Sequence, residues 1–167
     1  MLHFVLSASS FPPAHLLIED EQRPFGNLEP DWYTGDLLTM AHDLADRLIT
    51  AFEDTPKGIP HPRVNLISGV PPDGRKTTCL AGAGSLVLEF ATLSRLLGDP
   101  IYESYARNAT MSMWNHRNAT TGLFSNDINI DTGKWSSNIS GLGAGMDSFY
   151  EYLLKSYIVF EDPRVRS

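Results

Sequence analysis

Cys79 is the chain's single cysteine, so no disulfide can form within its 167 residues. Basic charge is scarce too, with thirteen Lys and Arg against twenty Asp and Glu and a net charge of −7. Phosphate recognition needs a positive face, so nucleic acid is excluded as an expected partner, while an uncharged sugar meets no such objection. No apolar run is read as approaching the length of a membrane-spanning helix. The opening Met1–Ser10 lacks a basic n-region, and serines interrupt its short apolar run, so it is not read as a signal peptide. Metal-ligand spacing is missing as well: His15, His42, His61 and His116 have no companions placed to share an ion. No Ser–His–Asp pattern, phosphate loop or dinucleotide fingerprint is present.

What remains is an ordinary globular composition, 42% hydrophobic and 20% charged. Three Asn-x-Ser/Thr triplets, at Asn108, Asn118 and Asn138, together point to a lumenal protein whose targeting signal is not in this sequence. Cys79, leading into an apolar helix, is expected to be a small buried residue.

Periodicity predicts four helices. Leu37, Met40, Ala41, Leu44, Leu48 and Phe52 recur at three- and four-residue steps, which predicts a helix over about 36–52. A second, over 81–97, is apolar on most faces and is therefore expected to be buried, with Gly98 closing it. Asp99 as N-cap, with Pro100 at the first position, opens a third that runs to about Trp114. The last covers about 144–160 and stops before Asp162-Pro163. Residues 14–20 read as the tail of another helix. Gly58 to Asp73 is rich in proline and reads as irregular. Alternation over Asp127-Ile-Asn-Ile-Asp131, followed by Thr132-Gly133, predicts a small β-hairpin between Leu123 and Trp135.

Two of the helices echo one another. Gly82-Ala-Gly84 leads to Glu89-Phe90 and later Asp99-Pro100; Gly143-Ala-Gly145 leads to Glu151-Tyr152 and later Asp162-Pro163. Units that cannot each bury their own apolar face stack or close into rings.

Three carboxylates stand out. Asp147 and Glu151, four residues apart, share one face of the last helix, and Glu89 sits between Leu88 and Phe90. An ionised carboxylate in apolar surroundings is paired, protonated or working. For Glu89 alone an ion pair at the helix edge is the simpler reading. For Asp147 with Glu151, beside glycines that let a ligand approach the backbone, a structural pair and a working site stay equally open.

The run Ser140-Gly-Leu-Gly-Ala-Gly-Met-Asp-Ser-Phe-Tyr-Glu-Tyr-Leu-Leu-Lys155 resembles the signature of glycoside hydrolase family 47, the class I α-1,2-mannosidases. So do Gly58-Ile-Pro-His-Pro-Arg-Val-Asn-Leu66, Thr78-Cys-Leu-Ala-Gly-Ala-Gly84, Leu88-Glu-Phe90 and Leu93-Ser-Arg95. The resemblance covers about residues 14–160 and leaves 1–13 unmatched, so the expected organisation is an unmatched segment 1–13 followed by a partial family domain over 14–162. It implies a mainly α fold, part of an (α/α)7 barrel with a small β-hairpin.

The resemblance further implies a calcium-dependent, inverting α-1,2-mannosidase that trims high-mannose N-glycans. On the family pattern Asp147 is a catalytic carboxylate, Glu89 and Glu151 line the sugar pocket, and Arg63 occupies a recurring position of unassigned role. Gly145, where the processing mannosidase of the endoplasmic reticulum carries arginine, resembles the ER degradation-enhancing branch. That branch implies the endoplasmic-reticulum lumen, with misfolded glycoproteins as partners.

The family's Glu-Thr-x-Ile-Arg motif has no counterpart here, and its last catalytic glutamate and calcium-binding threonine fall outside the chain. An internal fragment, inactive alone, is therefore expected, with the direct calcium ligand outside it. The alternative is a non-catalytic module that binds glycans or misfolded clients.

Overall fold

The computed structural model describes residues 34–160. The expected helix tail at 14–20, the segment 1–13 and Asp162-Pro163 lie outside the described residues. Among the described residues five helices and two short strands follow in order: α1 (Asp36–Ile49), β1 (Thr77–Cys79), α2 (Leu80–Gly84), α3 (Val87–Leu97), α4 (Ile101–Asn115), β2 (Asp127–Asn129) and α5 (Asp147–Phe160).

α1 forms where the three–four spacing predicts it, but its packed face is not the one with the largest side chains. Ala41 and Ala45 are the buried positions, while Leu37 and Met40 are 45% and 61% exposed. The small alanines let the helix lie close to its neighbours, and the Tyr102 hydroxyl of α4 donates to the Asp46 carboxylate.

The predicted helix over 81–97 is two helices. Ser85 departs from helical geometry (φ −109°, ψ 52°), its N–H bonding Ala81 O at 3.0 Å, and the chain restarts at Val87. The buried Thr110 hydroxyl of α4 donates to Gly84 O at 3.1 Å, satisfying a carbonyl that a continuous helix would have bonded itself. Leu80–Leu97 is also long and apolar enough to span a membrane by composition, with mean hydropathy 1.3, which corrects the sequence expectation. Half of it is buried within the fold and it breaks in the middle, so it serves as the core.

Gly98 closes α3 in the left-handed region (φ 70°), the predicted C-cap. Asp99 Oδ1 accepts from Ile101 N at 3.0 Å, so the aspartate caps α4 as expected, although Pro100 is the residue directly before it. Cys79 is half-buried rather than buried, because its Sγ accepts the Gly82 N–H at 3.2 Å and caps α2.

The expected hairpin is only part of the β structure. β2 pairs antiparallel with β1, Thr77 opposite Asn129, Thr78 opposite Ile128 and Cys79 opposite Asp127. The local turn exists as well: Asn129 N donates to Lys134 O at 2.9 Å, Ser136 N donates to Asp127 O at 2.7 Å, and Ile128 bridges Trp135. Ile128 is fully buried, so burying it required partners on both sides.

Two apolar clusters hold these elements together. One joins α1, α3, α4 and α5 through Ala45, Phe52, Phe90, Tyr102 and Tyr152. The other lies around the sheet and the start of α5, through Leu80, Met113, Phe124, Ile128 and Phe149. At the rim of the first, Glu103 accepts from Arg95 at 3.4 Å and Arg107 at 2.6 Å, and Arg95 stacks 4.2 Å over the Phe160 ring.

α5 buries Phe149, Tyr152 and Ser156 but exposes Leu154, Ile158 and Val159 by 62%, 64% and 53%. An exposed apolar stripe of this kind promotes association. The 167-residue chain expressed alone is expected to keep helical circular dichroism but to self-associate and melt without a sharp transition. Changing Leu154 and Ile158 together to glutamate should lower the mass seen by light scattering without loss of helicity; an unchanged mass would locate the association elsewhere.

Burial works against the charge of Glu103, but the hydrogen bonds from Arg95 and Arg107 outweigh it and hold its pKa below the ordinary 4.5. A depressed folded pKa gives stability that is present above 4.5 and lost as pH falls through the folded value. Glu103→Gln should therefore flatten the acid limb of a urea-midpoint-versus-pH curve below about pH 4.5 and lower the midpoint above it.

Candidate active site

The last helix starts where two glycine-rich segments meet. Gly145 holds φ +87°, and its carbonyl accepts from Ala81 N at 2.8 Å, tying the turn before α5 to the first turn of α2. Asn126 O accepts from Leu80 N at 2.8 Å, adding the approach to β2 to the same junction. Side chains would prevent this approach. A Cβ on Gly84 would stand 2.3 Å from the Phe149 ring, and one on Gly145 would stand 2.4 Å from Asn126 Oδ1. The repeated Gly-Ala-Gly of the sequence therefore marks two partners in one contact.

Asp147 is the first residue of α5. Its N–H donates to Gly143 O at 3.1 Å, and its Oδ1 accepts from Ser148 N at 2.9 Å. The side chain is exposed, and so is that of Glu151, one turn further and about 6 Å along the axis. The expectation of buried carboxylates on this face is corrected: the stripe 147, 151, 154, 158 is the outer face of α5 within the described residues, because Phe149 and Tyr152 take the inner one. Glu151 pairs with Lys155 at 2.5 Å, an exposed pair that contributes little stability.

Glu89 comes from α3 and is half-buried. It accepts a hydrogen bond from the Tyr152 hydroxyl at 2.6 Å. Burial, then that carboxylate, and to a lesser degree Glu151, push the Tyr152 hydroxyl far above its ordinary pKa, so it stays a donor. Asp147 and Glu151 thus share one face, and Glu89 reaches the same helix through the residue beside Glu151. Tyr152 is the functional neighbour that the sequence reading named only as part of an echo; its signal was position, seven residues after the glycine run.

Arg63 lies elsewhere, on an open cleft of about 410 Å³ lined also by Arg75, Thr77, Cys79 and Asp127, and none of the three carboxylates lines it. Among the described residues no three His, Cys, Asp or Glu side chains gather as a metal site.

Two glycines separate the roles in this junction. Gly145→Ala should cost about 1–3 kcal/mol, because it forces a side chain into the left-handed region against Asn126. The Ala81 amide, which bonds Gly145 O, should then lose hydrogen-exchange protection. Gly143→Ala, with nothing within 4 Å of its Cβ, should change stability by no more than about 0.5 kcal/mol. Equal effects of the two would show that the junction does not depend on Gly145.

Residues 8–167 match the family model described as glycosyl hydrolase family 47. Human ER degradation-enhancing alpha-mannosidase-like protein 2 is 44% identical over 153 residues, which cover 91% of this chain and 26% of that protein. The ER degradation-enhancing alpha-mannosidase-like protein 1 of Schizosaccharomyces pombe is 44% identical over 151 residues, covering 90% of this chain and 19% of its own length. Among solved structures, the alpha-1,2-mannosidase from Trichoderma reesei superposes with TM-score 0.73 at 33% identity, covering 94% of this chain and 31% of that one. The chain spans about a quarter or less of the length of these curated relatives. Its mainly helical fold with a two-stranded sheet is that of part of such an enzyme, and the chain belongs to glycosyl hydrolase family 47, in the ER degradation-enhancing α-mannosidase-like branch.

Proposed function

We propose that this chain is part of an inverting α-1,2-mannosidase that trims mannose from high-mannose N-glycans of misfolded glycoproteins in the endoplasmic-reticulum lumen. Asp147 is a catalytic carboxylate, and Glu89 and Glu151 line the sugar pocket. The observation that carries this reading is the placement of Asp147. A glycine turn locked to α2 holds it at the first position of α5, with its carboxylate facing out beside Glu151. The names of its relatives, ER degradation-enhancing alpha-mannosidase-like proteins, support the substrate class and the compartment.

Inversion at a glycosidic bond requires a general acid on one side of the sugar and a base on the other, with about 6.5–9.5 Å between the carboxyl groups to admit water. Asp147 supplies one of these from a rigid helix rather than a loop, and rigid placement is what such geometry needs. The Tyr152 hydroxyl donates to Glu89 at 2.6 Å and so helps to orient its carboxylate. The remaining carboxyl group and the calcium site belong to parts of the enzyme outside this chain. The chain by itself is therefore expected to release no mannose.

Asp147→Asn in the full-length protein that carries this segment should lower mannose release from a free high-mannose oligosaccharide by at least about 10²-fold, with the melting curve unchanged, because the replacement is nearly isosteric. Release at the parental rate would make Asp147 structural. Absent activity in the parental protein itself, with glycan binding retained, would instead favour a non-catalytic glycan- or client-binding module.

A further inference from the structure

The sequence carries three glycosylation triplets, and the fold does not treat them alike. Asn108 lies within α4, and its partner Thr110 points into the core, where the hydroxyl donates to Gly84 O at 3.1 Å and Ala106 O at 3.0 Å. Residues two apart on a helix diverge by roughly 200°, so the Asn108 amide and the Thr110 hydroxyl face opposite sides. Asn138 is exposed but lies in the connection to the glycine turn that positions Asp147. The neighbouring Ile139 carbonyl accepts from Asn126 N at 3.2 Å within that junction.

Asn118 is different. It follows α4 in a turn that closes on itself: Asn118 N donates to Leu123 O and Gly122 N to Asn118 O, both at 2.8 Å. Every residue from Asn118 to Leu123 is exposed. Asn118 Oδ1 accepts from Thr120 N and Thr121 N, each at 2.9 Å, which holds the carboxamide in a defined pose on the exposed turn. The turn needs no distant contact, so it can form while the chain is being made.

We infer that Asn118 is an N-glycosylation site of this protein, the inference resting on the lumenal reading above. In the reaction Asn118 Nδ2 attacks the anomeric carbon of an oligosaccharide carried on a lipid pyrophosphate. The N–C bond forms, the C–O bond to the pyrophosphate breaks, and Nδ2 gives up a proton, all on a cellular transferase that supplies the donor. A glycan on this exposed turn meets solvent.

The test is translation of the whole chain, behind an added cleavable signal sequence, in the presence of endoplasmic-reticulum microsomes. The product is expected to carry a glycan on the peptide containing Asn118, identified by mass spectrometry after peptide-N-glycosidase release in heavy-oxygen water. Asn118→Gln and Thr120→Ala should each remove one step of the gel shift, whereas Asn108→Gln and Asn138→Gln leave that step in place. Thr120→Ala keeps the Asn118 turn, which uses only the Thr120 backbone, so loss of the step in that variant is not loss of local structure. Co-migration of both variants with the parent, and an unmodified Asn118 peptide, would overturn the inference. Because the added signal supplies the compartment, that result leaves the lumenal reading untouched. A chain modified in this assay but found unglycosylated in the cytosol of cells would overturn the lumenal reading alone.

Discussion

The structure turns on the approach of two backbones that lack side chains at the point of contact. Ala81 N reaches Gly145 O only because Gly84 leaves room for the Phe149 ring and Gly145 can hold a positive φ beside Asn126. Interiors are packed too tightly to absorb an extra methyl at 2.3 Å without displacement of a ring or a backbone. Once that junction is set, the start of α5 is fixed relative to α2, and the residues of α5 follow at helical steps. Phe149 lands over Gly84, Tyr152 lands against Glu89, and Asp147 is left facing outward. The position of the candidate catalytic carboxylate is thus a consequence of where glycine is tolerated.

The buried Tyr152–Glu89 contact extends the same zipper one turn further. A hydrogen bond to a charged acceptor contributes more than one between neutral groups, and in partly buried surroundings it also fixes orientation. Glu89 is therefore held in one pose by a residue adjacent to Glu151. The inner face of α5 is structural and the outer face is where the exposed carboxylates lie. That outer face continues into Leu154 and Ile158, so polar and apolar exposed residues share one stripe.

The remaining correction concerns the sheet. β1 comes from a stretch whose prolines and charges give no alternation, yet it is the principal partner of β2. Three residues are too few to show a period, and a strand that short is defined by its partner rather than by its own side chains. The local turn to Lys134 was legible because Asn129, Thr132 and Gly133 form it among themselves. The Asn129 carboxamide accepts from Asp131 N and Thr132 N, and Gly133 fits under the His116 ring.

The sequence by itself determined whatever is settled within a turn or two of chain. The helices over α1, α4 and α5, the Asp99 cap, the Gly98 stop and the family signature around Asp147 all depend on residues a few positions apart, whose spacing is visible in one dimension. Tertiary structure alone decided the break at Ser85, the pairing of β1 with β2, the inward turn of Glu89 and the outward turn of Asp147 and Glu151. Each of these rests on a contact across long sequence separation: 26 residues between Gly84 and Thr110, and 63 between Glu89 and Tyr152. A helical period says that a face exists. Which neighbour covers it is settled only when the chain has folded, because the same carboxylate on the same helix is buried or exposed according to what packs beside it.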